Sequence, residues 1–434
     1  MARKMLIDGA CCLCSLTVSS SASWRSFMKR DTTRIPHRQP VTRSAPRGLV
    51  SATDQRATPH PLEAVIDTAT AALHRGDWEA ALRGCVQVRA TLKALTPPAV
   101  LGMGATCLHR LGRYEEADAM VSEGLGEAAS QLTIPPVYTE AELLARWQQT
   151  STPVISIVCT AFNHERYIEQ TLRGFLAQRT TYPFEILIHD DASTDGTPSI
   201  IRRWQAEYPT IIHTVLQTEN QLSQGNRPFE LLLARARGRF IAACEGDDFW
   251  IDASKLQRQV SFLEANPDFS CTAHNYLHFH ESALTIRPWL ATREDLVMSQ
   301  RQLMGIARLL WIPTLVFRKL FTAFPPERKL CAYGDAMLTS YLGTFGKCLY
   351  LDSMISSVRR ENAFSYWSPL SADAKEEGRV KTWLALIDMH TRLGNAQAIV
   401  DLLGKVSASS LDEKRKSVML NELINRQPLL LGAA

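Results

Sequence analysis

The sequence lacks any uninterrupted apolar run near the roughly 20 residues that a membrane-spanning helix needs, so no transmembrane segment is expected. Its ten cysteines offer no two C-x-x-C pairs of the structural zinc type. Several, such as Cys159 and Cys244, sit inside apolar runs where a free thiol packs as a small hydrophobe. That usage points to a reducing compartment, the cytoplasm, with the inner face of the membrane as a peripheral alternative. Arg3 and Lys4 ahead of an apolar stretch imitate a signal peptide, but Asp8 interrupts the stretch and no clear cleavage site follows. Excess charge is scarce as well: the net charge is +4 over 434 residues. Nine Lys and Arg against Asp8 and Asp31 fall in the first 50 residues, which leaves the remainder slightly acidic. Nothing in that balance asks for nucleic acid as a partner.

With 45% hydrophobic and 21% charged residues, the composition is that of an ordinary globular protein. Its length exceeds one typical core and predicts two or three domains. A basic leader occupies residues 1–58. Over 59–130 the pattern is helical and self-similar. The stretch Leu73-His74-Arg75-Gly76-Asp77-Trp78-Glu79-Ala80-Ala81 aligns with His109-Arg110-Leu111-Gly112-Arg113-Tyr114-Glu115-Glu116-Ala117. The glycine shift is close to the period of helix-turn-helix repeats, and the shared Gly-x-aromatic-x-x-Ala core resembles the tetratricopeptide repeat. Such repeats imply a protein partner. A linker covers 131–152. From 153 to 368 short apolar runs alternate with helical periodicity: strands at 153–160, 184–190, 211–216 and 239–244, and helices at 165–178, 197–208 and 228–237. Strands that are apolar throughout and alternate with helices predict a doubly wound α/β fold with a mostly parallel sheet. Residues 369–434 are helical again, as a further degenerate repeat or as a surface for dimers or membranes.

In such sheets ligands bind beyond the carboxyl ends of the strands. Two acidic turns fall there, Asp190-Asp191-Ala192-Ser193-Thr194-Asp195 after the second strand and Glu245-Gly246-Asp247-Asp248 after the fourth. Neighbouring carboxylates repel unless a cation relieves them, and hard oxygen ligands select Mg²⁺ or Mn²⁺, which also bind diphosphate oxygens. The loop after the first strand, Ala161-Phe162-Asn163-His164-Glu165-Arg166, is neither glycine-rich nor markedly basic, which argues against a nucleotidyltransferase. His274, His278 and His280 lack a further ligand at fixed spacing, so zinc is not expected. Trp250 suits a packing anchor or a sugar platform.

The runs VISIVCTAFNHERYIEQTLRGFLAQ, FEILIHDDASTDGT and GRFIAACEGDDFWIDASKLQRQ, in that order, resemble family 2 glycosyltransferases of the GT-A fold over about residues 153–368. The resemblance implies donor contacts at Thr160, Phe162, Asp190, Asp191 and Asp247, a metal ligand at Asp248, and a catalytic base at Asp335 in Tyr333-Gly334-Asp335-Ala336. It implies an inverting transfer of sugar from a nucleotide-diphosphate donor to a hydroxyl acceptor, whether carbohydrate, lipid-linked or protein, in bacterial surface polysaccharide, lipopolysaccharide or glycoprotein synthesis. Two departures stand out. Ala336 occupies a place where an aromatic is common. Asn362 falls where the family often has histidine, with Arg359 or Arg360 as substitutes at the diphosphate or sugar. These departures leave a second reading open, an interaction protein built on the repeats with a nucleotide-binding but catalytically weak domain.

Overall fold

The computed structural model describes residues 61–93, 96, 98–125, 133–148, 152–280, 285–288, 295–307, 309–361 and 370–426. The leader expected at 1–58, and Asn362, lie outside the described residues. The chain divides into two units, residues 1–126 and, apart from a short stretch at 282–284, residues 127–434.

In the first unit, helices α1 (Pro61–His74), α2 (Trp78–Leu92), α3 (Pro98–Arg110) and α4 (Tyr114–Leu125) make two successive hairpins. Gly76 and Gly112 close them at positive φ, 76° and 73°, a backbone region that side chains with a Cβ resist. Five residues beyond each glycine, Ala81 and Ala117 are fully buried where the helices cross. Asp77 caps α2 by accepting from Ala80 N–H, and Arg89 forks onto Glu123 to join α2 to α4.

The second unit opens with α5 (Glu140–Arg146) and then alternates: β1 (Ile155–Ala161), α6 (Ile168–Leu176), β2 (Phe184–Asp190), α7 (Thr197–Glu207), β3 (Ile212–Leu216), α8 (Pro228–Arg235) and β4 (Phe240–Glu245). Next come β5 (Phe249–Trp250), α9 (Lys255–Ala265), the long β6 (Phe269–His280), β7 (Thr285–Pro288), β8 (Leu296–Met298), α10 (Gln300–Met304) and β9 (Val316–Arg318). The unit ends with α11 (Gly334–Gly343), β10 (Lys347–Glu361), α12 (Ala372–Arg392), α13 (Ala396–Ala408) and α14 (Glu413–Arg426).

One sheet runs β3-β2-β1-β4-β9-β6-β10-β5, with β7 on β6 and β8 on β10. Its first four strands are parallel, as their uniformly apolar sequences predict. Strand β9 is inserted antiparallel to both β4 and β6, and β6 pairs parallel with β10. The fold is therefore the expected α/β class with a mostly parallel sheet flanked by helices. The two-residue side-chain period of a strand explains why both faces are covered. Ile155, Ile157 and Cys159 enter one core with Phe175 and Ile186, while Val158, Leu187 and Ile241 enter a second core with Leu232 and Leu338. A third core joins α11 to α12 and α13 through Met337, Leu386 and Leu402.

Candidate active site

The carboxyl ends of β1, β2 and β4 lie side by side, with Ala161 opposite Asp190 and Thr160 opposite Glu245. The pairing continues one step past the strands, since Asp191 N–H donates to Ala161 O and Gly246 N–H to Thr160 O. Both acidic turns are thereby held against the loop that follows β1.

The first turn is occupied with its own chain. Asp190 accepts from Ser193 N–H at 3.1 Å and from the Ser193 hydroxyl at 2.5 Å. Asp191 accepts from Gln221 N–H at 2.7 Å and Leu222 N–H at 3.1 Å, with His189 at 3.3 Å. Both carboxylates are buried and brace the loops beside the cleft. Phe162, by contrast, is 44% exposed just past the end of β1.

The second turn is clamped from two sides. On α6, the Thr171 hydroxyl donates toward the carbonyls of Gly246 and Asp248, at 3.0 and 2.7 Å. Strand β10 pairs antiparallel with β5, which brings Arg360 N–H to 2.7 Å from Asp248 Oδ1. Burial, with Asp247 and Glu245 alongside, pushes the Asp248 carboxyl well above the usual carboxylate range. Glu245 touches water in the cleft, yet the surrounding protein together with Asp247 and Asp335 pushes it up to about 7. Asp335 opens α11, where the Ala336 N–H donates to it at 2.8 Å, and burial raises its carboxyl as well. Arg359 is the cation whose field reaches Glu245, Asp248 and Asp335 together. Its guanidinium lies 4.1 Å over the Trp311 ring and 3.4 Å from His278 Nε2. Glu245, Asp248 and Asp335 thus lie within the field of Arg359, with Asp247 acting on both Glu245 and Asp248.

Two residues with alternative readings have defined contacts. The Arg360 side chain is bonded within the protein. Its guanidinium donates to Asp247 O and Gln170 Oε1 and sits over Tyr167, 4.4 Å from the ring, so it ties the acidic turn to α6. Trp250 is fully buried, donates to Pro313 O at 2.9 Å and packs on Phe175 at 4.6 Å. No face of it is open to a sugar. Sequence reasoning passed over Glu245, which ends β4 beside the acid pair, and His164, whose Nε2 lies 4.0 Å from Asp247 Oδ2. Their place in the loops that follow β1 and β4 was the available signal.

Among the described residues, no three His, Cys, Asp or Glu side chains gather into a group that could hold a metal by themselves. A diphosphate-bound Mg²⁺ or Mn²⁺ needs fewer, one or two carboxylates with phosphate oxygens completing the shell. Burial raises the carboxyls of Asp248 and Glu245 most, and the neighbouring acids add to it; a cation relieves that second part, and the oxygen donors of Asp247 and Asp248 are of the kind that fit such an ion.

Residues 156–317 match the sequence model of glycosyl transferase family 2. That segment is similar to glycosyl transferase family 2. Over 144 residues the chain is 41% identical to the uncharacterized protein Rv1520 of Mycobacterium tuberculosis, covering 33% of this chain and 41% of that one. It is 30% identical over 125 residues to the Escherichia coli UDP-Glc:alpha-D-GlcNAc-diphosphoundecaprenol beta-1,3-glucosyltransferase WfaP, covering 29% of this chain and 47% of WfaP. The chain therefore spans less than half the length of these curated relatives. Among solved structures, Staphylococcus aureus TarS 1–349 with UDP-GlcNAc aligns at a TM-score of 0.42 and 17% identity, over 63% of this chain and 72% of that one. The matched segment carries both acidic turns, while Asp335 and Arg359 lie beyond the matched residues.

Proposed function

We propose that the chain is an inverting glycosyltransferase that moves a sugar from a nucleotide-diphosphate donor to a hydroxyl acceptor. The observation that carries the reading is the convergence of Glu245, Asp247, Asp248 and Asp335 around Arg359, at the strand ends of a segment similar to glycosyl transferase family 2. Thr160 and the open ring of Phe162 line the nucleoside, on a floor braced by Asp190 and Asp191. Asp247 contacts the ribose or donor sugar. Asp248, with Asp247, holds Mn²⁺ or Mg²⁺, which when bound supplies positive charge to the departing diphosphate. Arg359 reaches the same diphosphate from the other wall. Asp335, its carboxyl raised by burial, takes the proton of the acceptor hydroxyl as that oxygen bonds to the anomeric carbon. The bond from that carbon to the diphosphate breaks on the opposite side, so the configuration inverts.

The working domain corresponds to residues 153–368. We read the hairpins over 59–130 as tetratricopeptide-like units that dock a protein partner, joined by the linker 131–152. The named activity of WfaP supports bacterial polysaccharide assembly as the setting, with a carbohydrate, lipid-linked or protein acceptor. No helix among the described residues is long and apolar enough to cross a membrane, which suits work in the cytoplasm or at the inner membrane face.

Calorimetric titration with UDP-, GDP- and dTDP-linked sugars, with and without Mn²⁺, tests the proposal beside the Asp248→Ala variant. Metal-dependent binding of one donor, lost in the variant, is the expected result. Binding indifferent to metal and to the substitution removes Asp248 from its role. Absence of binding to every donor returns the chain to the interaction-protein reading.

A further inference from the structure

The C-terminal helix α12 touches the chain segment that ends in Asp335 at several points. Two residues before Asp335, Tyr333 N–H donates to Thr382 Oγ1 at 3.1 Å, and the Tyr333 hydroxyl donates to Lys375 O at 2.9 Å. Thr382 in turn donates to Gly378 O at 2.8 Å, which fixes its lone pairs toward Tyr333. Gly378 is buried against the phenol: a Cβ there would fall 2.6 Å from Tyr333 Cζ and nearer still to the hydroxyl. Farther along the helix, Arg392 forks onto Glu327 at 2.7 and 2.9 Å, seizing the start of the same segment. Glu327 and Thr382 are both buried, while Arg392 reaches Glu327 from the surface.

We infer that α12 is the positioning element of the reaction: Gly378 and Thr382 set Tyr333, and Tyr333 sets the backbone from which Asp335 reaches the acceptor hydroxyl. This rests on the reading of Asp335 as the base. The bonds that the helix makes to the preceding chain run to Glu327, Tyr333 and Ser340, and its apolar face packs on Cys331 and Met337, all in the segment around Asp335. Its influence therefore falls on turnover and leaves donor binding alone. Proton transfer and attack demand near-ångström placement, and a misplacement of about 1 Å costs on the order of a hundredfold in rate. A methyl group at Gly378 would lie 2.6 Å from Tyr333 Cζ and closer still to the hydroxyl oxygen, so the phenol has to shift by about 1 Å to regain ordinary contact.

The test compares Gly378→Ala, Thr382→Val and Asp335→Asn in the full chain. Each is assayed for nucleoside diphosphate release from the donor selected by the titration above. Hydrogen exchange is followed at residues 331–337 and, as a control, at 155–161. The expected result is a kcat lower by about a hundredfold in Gly378→Ala and about tenfold in Thr382→Val. Donor KM stays at the wild-type value, and exchange quickens only at 331–337. Adding Tyr333→Phe to Gly378→Ala, which removes the nearest clashing atom, restores part of the rate. If Gly378→Ala fails to fold, Thr382→Val decides alone. Wild-type kcat in both helix variants, with turnover lost in Asp335→Asn, overturns the positioning role and leaves the base standing. Wild-type turnover in Asp335→Asn overturns the base instead. A raised donor KM with kcat unchanged also overturns the inference, since the helix would then act on the donor.

Discussion

Single residues divide here into those that face the cleft and those that hold it. Asp335 belongs to the first kind. Asp335→Asn keeps the shape and removes the basic oxygen, so turnover falls by about 10²–10⁴-fold while calorimetric donor affinity is unchanged. Lys255 belongs to the second. It is fully buried, donates to Gln259 Oε1 at 2.9 Å and lies 4.3 Å over the Trp250 ring. Burial holds its amine down to about 7, against 10.5 when exposed. Between those pH values the unfolded chain carries the extra proton, so this group makes stability rise with pH from about 7 to about 10. Below pH 7 both states are charged and the full desolvation cost is present. Lys255→Met is expected to stabilise the fold by a few kcal/mol below pH 7, on the order of what apolar replacement of buried charge gives. That gain shrinks toward pH 10, as denaturant unfolding across a pH series will read.

At the level of elements, α6 and β10 act as the two jaws that hold the acidic turn. Thr171→Val leaves the carbonyls of Gly246 and Asp248 without their hydroxyl, with a stability loss of about 1–3 kcal/mol for the unmet buried groups. Weaker metal-dependent donor binding is expected to accompany it, read by the same titration. The sequence made α6 and strands β1 to β4 legible because each strand is a continuous apolar run and the helix repeats at its own period. It did not make β10 legible. Arg359 and Arg360 are adjacent in a strand, so they point to opposite faces, and only the register says which one meets the acids. That register carries irregularities between Leu351, Ile355 and Ser357, which no spacing rule anticipates. Sequence therefore leaves Arg359 and Arg360 as alternatives, whereas in the fold it is the field of Arg359 that reaches Glu245, Asp248 and Asp335. Trp250 carries two readings for a related reason, and its burial selects the packing anchor: an aromatic beside an acid pair looks the same in sequence whether it lines a pocket or lies under it.

Across the whole molecule, the two units have separate cores, one built on Ala81, Cys107 and Ala117 and the others on the sheet and the C-terminal helices. Removal of residues 1–126 is expected to leave donor affinity unchanged in calorimetry and the thermal transition of the remainder cooperative. Removal of 372–434 strips Met337 of its partners Val380, Leu386 and Leu402, while Leu338 keeps its own in the sheet core, and loss of the cooperative transition is the expected reading.

The grip of α12 on Tyr333 also has a meaning in time. Synthesis delivers the nucleotide floor first, the acidic turn next and Asp335 after it, but the helix that fixes Asp335 comes only afterwards, at Ala372–Arg392. A chain still attached to the ribosome short of Ala372 already carries both acidic turns and Asp335, yet lacks the helix that braces Tyr333 and packs on Met337. On the proposed reading, the acceptor side of the site is thus braced later than the donor side.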